Sequence, residues 1–235
     1  MINKTIKKQS RNITLIGSFN PKIFHPEWFF LNNLIRKQEK EAAEIRFITN
    51  DVASFKMEWL IIEVMRERFS ASAIGDVSFE QLRDLILGTF ELLNHTPVTM
   101  VGFNYDYDFE VSDKAYWHEI GYFISGKSNL WGKVLPDPRL LSLNIESPME
   151  ESIDFITRKL SVTVSPSSKN VIETGLHFHV NDHFEAKDKE KSITAAIVGT
   201  VLKERWDVSQ KYAEAAVMSA LQLIMEGIGK DGKTA

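Results

Sequence analysis

Residues 98–111 read VTMVGFNYDYDFEV, and this stretch decides the fold. Aromatic side chains at Phe103, Tyr105, Tyr107 and Phe109 alternate with polar ones at Asn104, Asp106, Asp108 and Glu110. Successive side chains of a β-strand point to opposite faces of the sheet, so a period of two predicts a strand. We expect its aromatic face to be buried. We expect its acidic face, with the carboxylate pair Asp106 and Asp108, to be exposed to solvent.

The flanking segments switch between the two-residue period of strands and the 3.6-residue period of helices. Strands are predicted at 12–19, 44–55, 59–70, 140–146, 155–164 and 171–184, and WLIIEV within them suggests a strand that is covered on both faces. Helices are predicted after Pro26, over 79–93, after Ser112 or Asp113, and over 192–225. Consecutive strands imply antiparallel pairing. The predicted fold is α+β, a curved antiparallel sheet with helices packed on one face.

The order of elements allows two pseudo-repeated halves as well as one undivided domain. The predicted boundaries are a flexible basic arm at 1–11, a first β/α half at 12–125, and a connecting loop at 126–138. A second β/α half with a long C-terminal helix follows at 139–228, and a flexible tail at 229–235. We expect the two halves to form one compact unit.

The composition is that of a folded protein. The chain has 235 residues, 43% of them hydrophobic, with 28 Lys and Arg against 32 Asp and Glu, a net charge of −4. This balance does not favour a polyanionic partner. The absence of cysteine excludes disulfides and thiolate metal sites. No apolar run approaches the length of a membrane helix. We therefore expect a soluble, cytoplasmic protein without membrane contact.

Three segments resemble a group of uncharacterised bacterial proteins with duplicated β/α halves and a long final helix. They are TPVTMVGFNYDYDF at 96–109, HFHVNDHFE at 177–185 and ERWDVSQKYAEAA at 204–216. The resemblance covers most of the chain and implies the fold described above. It also implies a bacterial accessory role, such as toxin neutralisation or phage-related defence.

The segment LHFHVNDH at 176–183 contains the most suggestive chemistry. Strand alternation places His177 and His179 on one face, where two imidazoles could share a transition metal with His183. Further ligands could come from Asp182, His118, Asp106 or Asp108 if the fold brings them together. The competing interpretation is a polar sheet face with a turn at Asn181-Asp182. We favour the second interpretation and keep the metal site as the alternative.

Other classes of site find less support. The sequence has no G-x-S-x-G, no Walker loop and no G-x-G-x-x-G, so neither an activated serine nor a nucleotide loop is indicated. Lys4, Lys7, Lys8 and Arg11 form a basic arm, but the acidic face of 98–111 would repel phosphates. Nucleic-acid binding is therefore not expected.

Surfaces for contact with another protein remain. Ala213, Ala216 and Ala220 form a small-residue stripe on the final helix, which fits core packing or a dimer seam. Trp131 and Trp28 are candidate aromatic anchors. We predict a non-enzymatic protein-interaction or self-assembling protein, without a cofactor, whose partner is another protein or itself. The alternatives are a metal-dependent enzyme or metal-binding protein that uses His177 and His179, and a protein that binds a small ligand between sheet and helices.

Overall fold

A single antiparallel sheet of nine strands organises the described part of the chain, in the order β2-β3-β4-β5-β1-β6-β9-β8-β7. The computed structural model describes residues 2–75, 79–125, 134–135, 139–153, 155–168, 170–188 and 194–231. The strands are β1 Ile2–Gly17, β2 Glu44–Ile48, β3 Val52–Met57, β4 Leu60–Met65, β5 Arg68–Ala73, β6 Val98–Val111, β7 Leu143–Met149, β8 Ile156–Pro166 and β9 Gly175–Ala186. The helices are α1 Pro26–Leu31, α2 Lys37–Glu41, α3 Phe79–Leu92, α4 Lys114–Ile124 and α5 Ala196–Asp231. The fold is α+β, as the periodicity predicts.

The helices pack on one face of the sheet, where the aromatic residues of β6 lie. Phe103, Tyr105, Tyr107 and Phe109 are all buried, which confirms the prediction from 98–111. Trp206 of α5 stacks on Phe79 of α3 with ring centroids 4.2 Å apart, and contacts Phe103 at 5.5 Å. Aromatic contacts of this kind add to the burial of apolar surface and join the helix layer to the sheet.

The helix boundaries follow local signals. Asp113 caps α4, because its carboxylate accepts the backbone N–H of Tyr116 at 2.8 Å. Pro26 occupies the first turn of α1, where its missing N–H costs nothing. Trp28 is half-buried and packs against the core, with its ring centroid 5.1 Å from that of Phe29. No helix among the described residues combines the length and apolar character that a membrane crossing requires.

The first eleven residues differ from the expected flexible arm. Residues 2–11 form the first part of β1, which pairs with β6 from Ile2 opposite Val111 onward. Lys4 donates to Gln222 of α5 at 3.1 Å, and Lys7 pairs with Glu110 at 3.6 Å. Backbone pairing and these contacts hold the segment. Its only apolar side chains are Ile2 and Ile6, which are too few to show the two-residue period of a strand.

The two predicted halves share one sheet. β6 of the first half pairs with β9 of the second along eleven residue pairs, from Met100–Glu185 to Glu110–Gly175. The described residues place six strands before residue 125 and three after it, so the halves do not correspond strand for strand. The predicted loop at 126–138 lies almost wholly outside the described residues. In the predicted tail, α5 continues to Asp231.

The prediction that one strand is covered on both faces was wrong. β4, which contains the LIIEV part of WLIIEV, was expected to be covered on both faces. Leu60, Ile62 and Val64 are buried, but Glu63 and Met65 are exposed on the opposite face. The helices cover one side of the sheet, and none of the described residues covers the other side over the middle strands. That open face is where the candidate site lies.

Candidate functional site: a polar groove on the open sheet face

A groove of about 510 Å³ crosses four adjacent strands on the open face. β5, β1, β6 and β9 contribute its floor through residues that lie opposite one another in the ladder. The floor is built from four cross-strand rows: Arg68–Ile16–Met100, then Ser70–Thr14–Gly102–His183, then Ser72–Asn12–Asn104–Asn181, then Ser10–Asp106–His179. The volume lies within the usual range for ligand sites, roughly 300–1,000 Å³.

The third row is a ladder of hydrogen-bonded carboxamides. Asn181 Nδ2 donates to Asn104 Oδ1 at 2.8 Å, and Asn104 Nδ2 donates to Asn12 Oδ1 at 3.1 Å. Asn12 Nδ2 then donates to the hydroxyls of Ser70 and Ser72, each at 2.8 Å. Neighbouring strands lie about 4.8 Å apart, which suits contact between short amide side chains. The ladder therefore fixes the orientation of each carboxamide before any ligand binds.

The fourth row combines carboxylates with imidazoles. Asp106 Oδ1 lies 2.8 Å from His179 Nδ1 and 3.4 Å from His177 Nε2, while Ser10 donates to Asp106 Oδ2 at 2.9 Å. In the next row, Asp108 Oδ1 lies 3.2 Å from His177 Nδ1 and accepts from Ser167 Oγ at 2.7 Å. The register of β6 against β9 brings these groups together, since Asp106 faces His179 and Asp108 faces His177.

The expected exposure of the two carboxylates was wrong. Asp108 is buried, and the side chain of Asp106 is only 27% exposed, because the histidines of β9 lie over them. Burial alone would raise the pKa of Asp106, but hydrogen bonds from His177 and His179 outweigh it and hold this pKa well below its usual range. The contact with Asp106 is also the main cause of the raised pKa of His177, against which burial acts.

The structure separates the predicted metal ligands. His177 and His179 share Asp106, whereas His183 lies two rows away along β9, with its Nε2 3.8 Å from Glu185 Oε2. Within the described ranges, no group of three or more His, Asp or Glu side chains is arranged to hold a metal ion. A metal shared by His177, His179 and His183 stays a prediction from sequence.

Asp182 and His118 lie elsewhere. Asp182 is fully buried on the helix-covered face, where both of its oxygens accept from Arg158, at 2.8 and 2.7 Å. The expected turn at Asn181-Asp182 was wrong, because both residues lie within β9. His118 belongs to α4 and borders a separate, mainly apolar cavity of about 150 Å³ beside Trp117 and Leu176. Neither residue can join the row of Asp106.

The predicted partner-binding residues have different surroundings. Ala213 lies on the core-facing side of α5, where it is fully buried and not available to a partner, while Ala216 and Ala220 are half-buried. Ala220 packs against the core, as intramolecular packing requires. Trp131 lies outside the described residues.

Sequence reasoning missed the serines and asparagines on the β1 and β5 side of the groove. The signal was present: Ser10, Asn12 and Thr14 alternate with Arg11, Ile13 and Leu15, and Ser70 and Ser72 alternate with Phe69 and Ala71. Short polar side chains at every second position are typical of a strand with one open face. Their convergence with Asn104 and Asn181 depends on pairing between distant segments, which periodicity does not give.

No protein-family model matches the chain, and no curated protein matches it significantly.

Proposed function

We propose that this protein is a non-enzymatic protein-interaction module that binds another protein through the polar groove. The observation that carries the proposal is an open sheet face with polar side chains already ordered into hydrogen-bonded rows. A binding surface that is ordered in advance loses less conformational entropy when a partner docks. The −4 charge and lack of cysteine are compatible with a cytoplasmic setting.

The contacts around Asp106 favour binding over catalysis. Ser10 and Ser167, whose hydroxyls bind the same carboxylates as the imidazoles, donate to Asp106 and Asp108 and not to a histidine base. An activated serine nucleophile requires its hydroxyl proton to be directed at such a base. These hydrogen bonds therefore order the open face, and they leave neither serine paired for nucleophilic attack.

The sheet edges are less suited to a partner than the open face. β7 contains Pro148, which lacks the N–H that edge pairing needs, and β2 is short and has an irregular register between Ile45 and Phe47. Both features oppose pairing with another strand. This contrast favours the groove over sheet extension as the surface of contact.

Native mass spectrometry of protein purified from its own host tests the proposal. Gly102→Val fills the centre of the groove, while Ser165→Val places the same side chain on the same face, outside the groove and opposite His177. We expect a stoichiometric protein complex with wild type and Ser165→Val, and its loss with Gly102→Val. A complex that survives in Gly102→Val, or a monomer without partner in all three, contradicts the proposal. A bound metal that disappears in the His177→Ala, His179→Ala double variant would support the metal alternative instead.

A further inference from the structure

We infer that the occupant of the groove is an extended, uncharged peptide segment of the partner, whose main chain is read by Asn104 and Asn181. This inference rests on the proposed function and specifies its ligand. It follows from the unused hydrogen-bonding capacity of the carboxamide ladder, from the space above Gly102, and from the charges along the groove.

The unused capacity lies at one end of the ladder. A carboxamide can donate two hydrogen bonds and accept two. Asn12 has used all four, because Nδ2 donates to Ser70 and Ser72 while Oδ1 accepts from Asn104 and from Thr14. Counting the hydrogen bonds of the described residues, Asn104 keeps one donor hydrogen and one acceptor position. Asn181 keeps one donor hydrogen and two acceptor positions.

A peptide unit has the complementary groups. Each unit of a main chain presents one N–H and one C=O, which matches the one donor and one acceptor that Asn104 retains. Because the ladder orients the carboxamide, these groups point in fixed directions. A ligand that carries only acceptors, such as a phosphate, could use the donor of Asn104 but not its acceptor position. The pair of groups therefore favours a repeating amide chain.

Gly102 provides the space in which a main chain could lie. It occupies the groove floor between Thr14 and His183, in the row next to Asn104. A Cβ at this position would come within 3.2 Å of Asn181 Nδ2, and any larger side chain would stand above the floor. Close approach of a ligand backbone is one of the few reasons for glycine inside a strand.

The size and charge of the groove restrict the ligand further. Four strands span roughly 14 Å between the axes of β5 and β9, the length of about four extended residues. The described lining contains two cationic residues, Arg11 and Arg68, and two anionic ones, Glu63 and Asp106, so neither sign of charge is in excess. The described lining contains no Phe, Tyr or Trp on which bases or sugar rings could stack. An uncharged peptide fits these conditions better than a nucleic acid.

A library of random peptides of about seven residues, displayed on phage and selected on the full chain, supplies the probe. The best binder is then synthesised with and without N-methyl groups on its central amides, and affinities are measured by titration calorimetry. We expect N-methylation, Gly102→Val and Asn104→Leu each to weaken binding by about tenfold or more, and Ser165→Val to have no effect. Changing salt from ~50 to ~300 mM should alter the affinity less than about twofold.

Several outcomes would overturn the inference. They are selection of no peptide, selection of strongly charged peptides, equal affinity after N-methylation, and an oligonucleotide that binds wild type but not Gly102→Val. Circular dichroism and thermal melting of each variant establish that the fold is intact. If the native complex requires the groove but N-methylation has no effect, the proposed function stands and only the extended-peptide inference fails.

Discussion

Two tyrosines of β6 show how one hydroxyl decides the effect of a substitution. Tyr105 and Tyr107 are both buried on the helix-covered face. The Tyr105 hydroxyl donates to Ser209 Oγ at 3.0 Å, whereas the Tyr107 hydroxyl is buried and has no hydrogen-bond partner among the residues that the structure describes. Burial raises the pKa of Tyr107 to about 12, so its hydroxyl stays neutral.

We therefore expect Tyr107→Phe to leave the free energy of unfolding unchanged or to raise it by up to about 1 kcal/mol. Tyr105→Phe should lower it by about 1 kcal/mol, because Ser209 loses its partner. Urea denaturation of both variants checks the difference. Equal losses from the two substitutions would show that the Tyr107 hydroxyl has a partner in solution.

His177 should make the stability of the fold depend on pH. Its folded-state pKa is raised above the ordinary value of about 6.5, chiefly by Asp106. The charged imidazole therefore stabilises the folded state fully below that value, and the contribution is lost as pH rises through the folded pKa. Asp106, whose pKa is lowered, also stabilises the folded state, but its contribution depends on pH in the opposite direction. It is fully present above about pH 4 and is lost in stronger acid.

We expect His177→Gln to lower the free energy of unfolding more at pH ~5.5 than at pH ~8.5. His95→Gln is the control, because His95 is exposed and lies outside the groove. A loss that is the same at both pH values would mean that His177 is not charged in the folded protein.

At the scale of the elements, two glycines differ in how closely other backbone atoms approach them. A Cβ on Gly17, at the end of β1, would clash with the carbonyl oxygen of Pro97, whereas a Cβ on Gly199 in α5 would meet nothing within 4 Å among the described residues. Gly17→Ala should cost about 1–3 kcal/mol through the clash. Gly199→Ala should stabilise by about 0.5–1 kcal/mol, because alanine loses less backbone entropy in a helix. Thermal melting distinguishes them, and a stabilising Gly17→Ala would contradict the contact with Pro97.

A buried ion pair connects β8 and β9 on the face that α5 covers. Arg158 and Asp182 are almost wholly buried, and the guanidinium also lies 5.0 Å from the ring centroid of Tyr212. Arg158→Met should cost about 3–5 kcal/mol, because it leaves Asp182 buried without its partner. Breaking the exposed pair of Lys203 and Glu91 should cost less than about 1 kcal/mol. The double variant Arg158→Met, Asp182→Leu removes the unpaired charge as well. If it is no more stable than Arg158→Met alone, the cost does not come from the unpaired charge.

Most elements could be predicted because their apolar residues follow a regular period. The aromatic face of 98–111 and the opposite orientation of His177 and Phe178 follow from alternation within single strands. The start of β1 could not be predicted, since Lys4, Lys7 and Lys8 carry no apolar pattern and pairing with β6 holds them. The groove could not be predicted either, because Asn12, Asn104 and Asn181 meet only through the registers of β1, β6 and β9.

At the scale of the whole molecule, the two faces of one sheet have separate roles in this account. Trp206, Phe79 and the aromatic residues of β6 stabilise the helix-covered face. The open face is ordered by hydrogen bonds between side chains and, in the proposed function, binds the partner. Because substitutions such as Gly102→Val and Ser165→Val lie on the open face, they leave the apolar core unchanged. Binding can therefore be tested apart from folding.

Hydroxyl-radical footprinting of the native complex, read by mass spectrometry, tests the central claim most directly. Met100 and His179 line the groove, while Met218 is exposed on α5 at the opposite side of the sheet. The account predicts that the partner lowers the oxidation of Met100 and His179 and leaves that of Met218 unchanged. Protection of Met218 with no change at Met100 and His179 would place the partner on the helix layer and contradict the groove as the binding site.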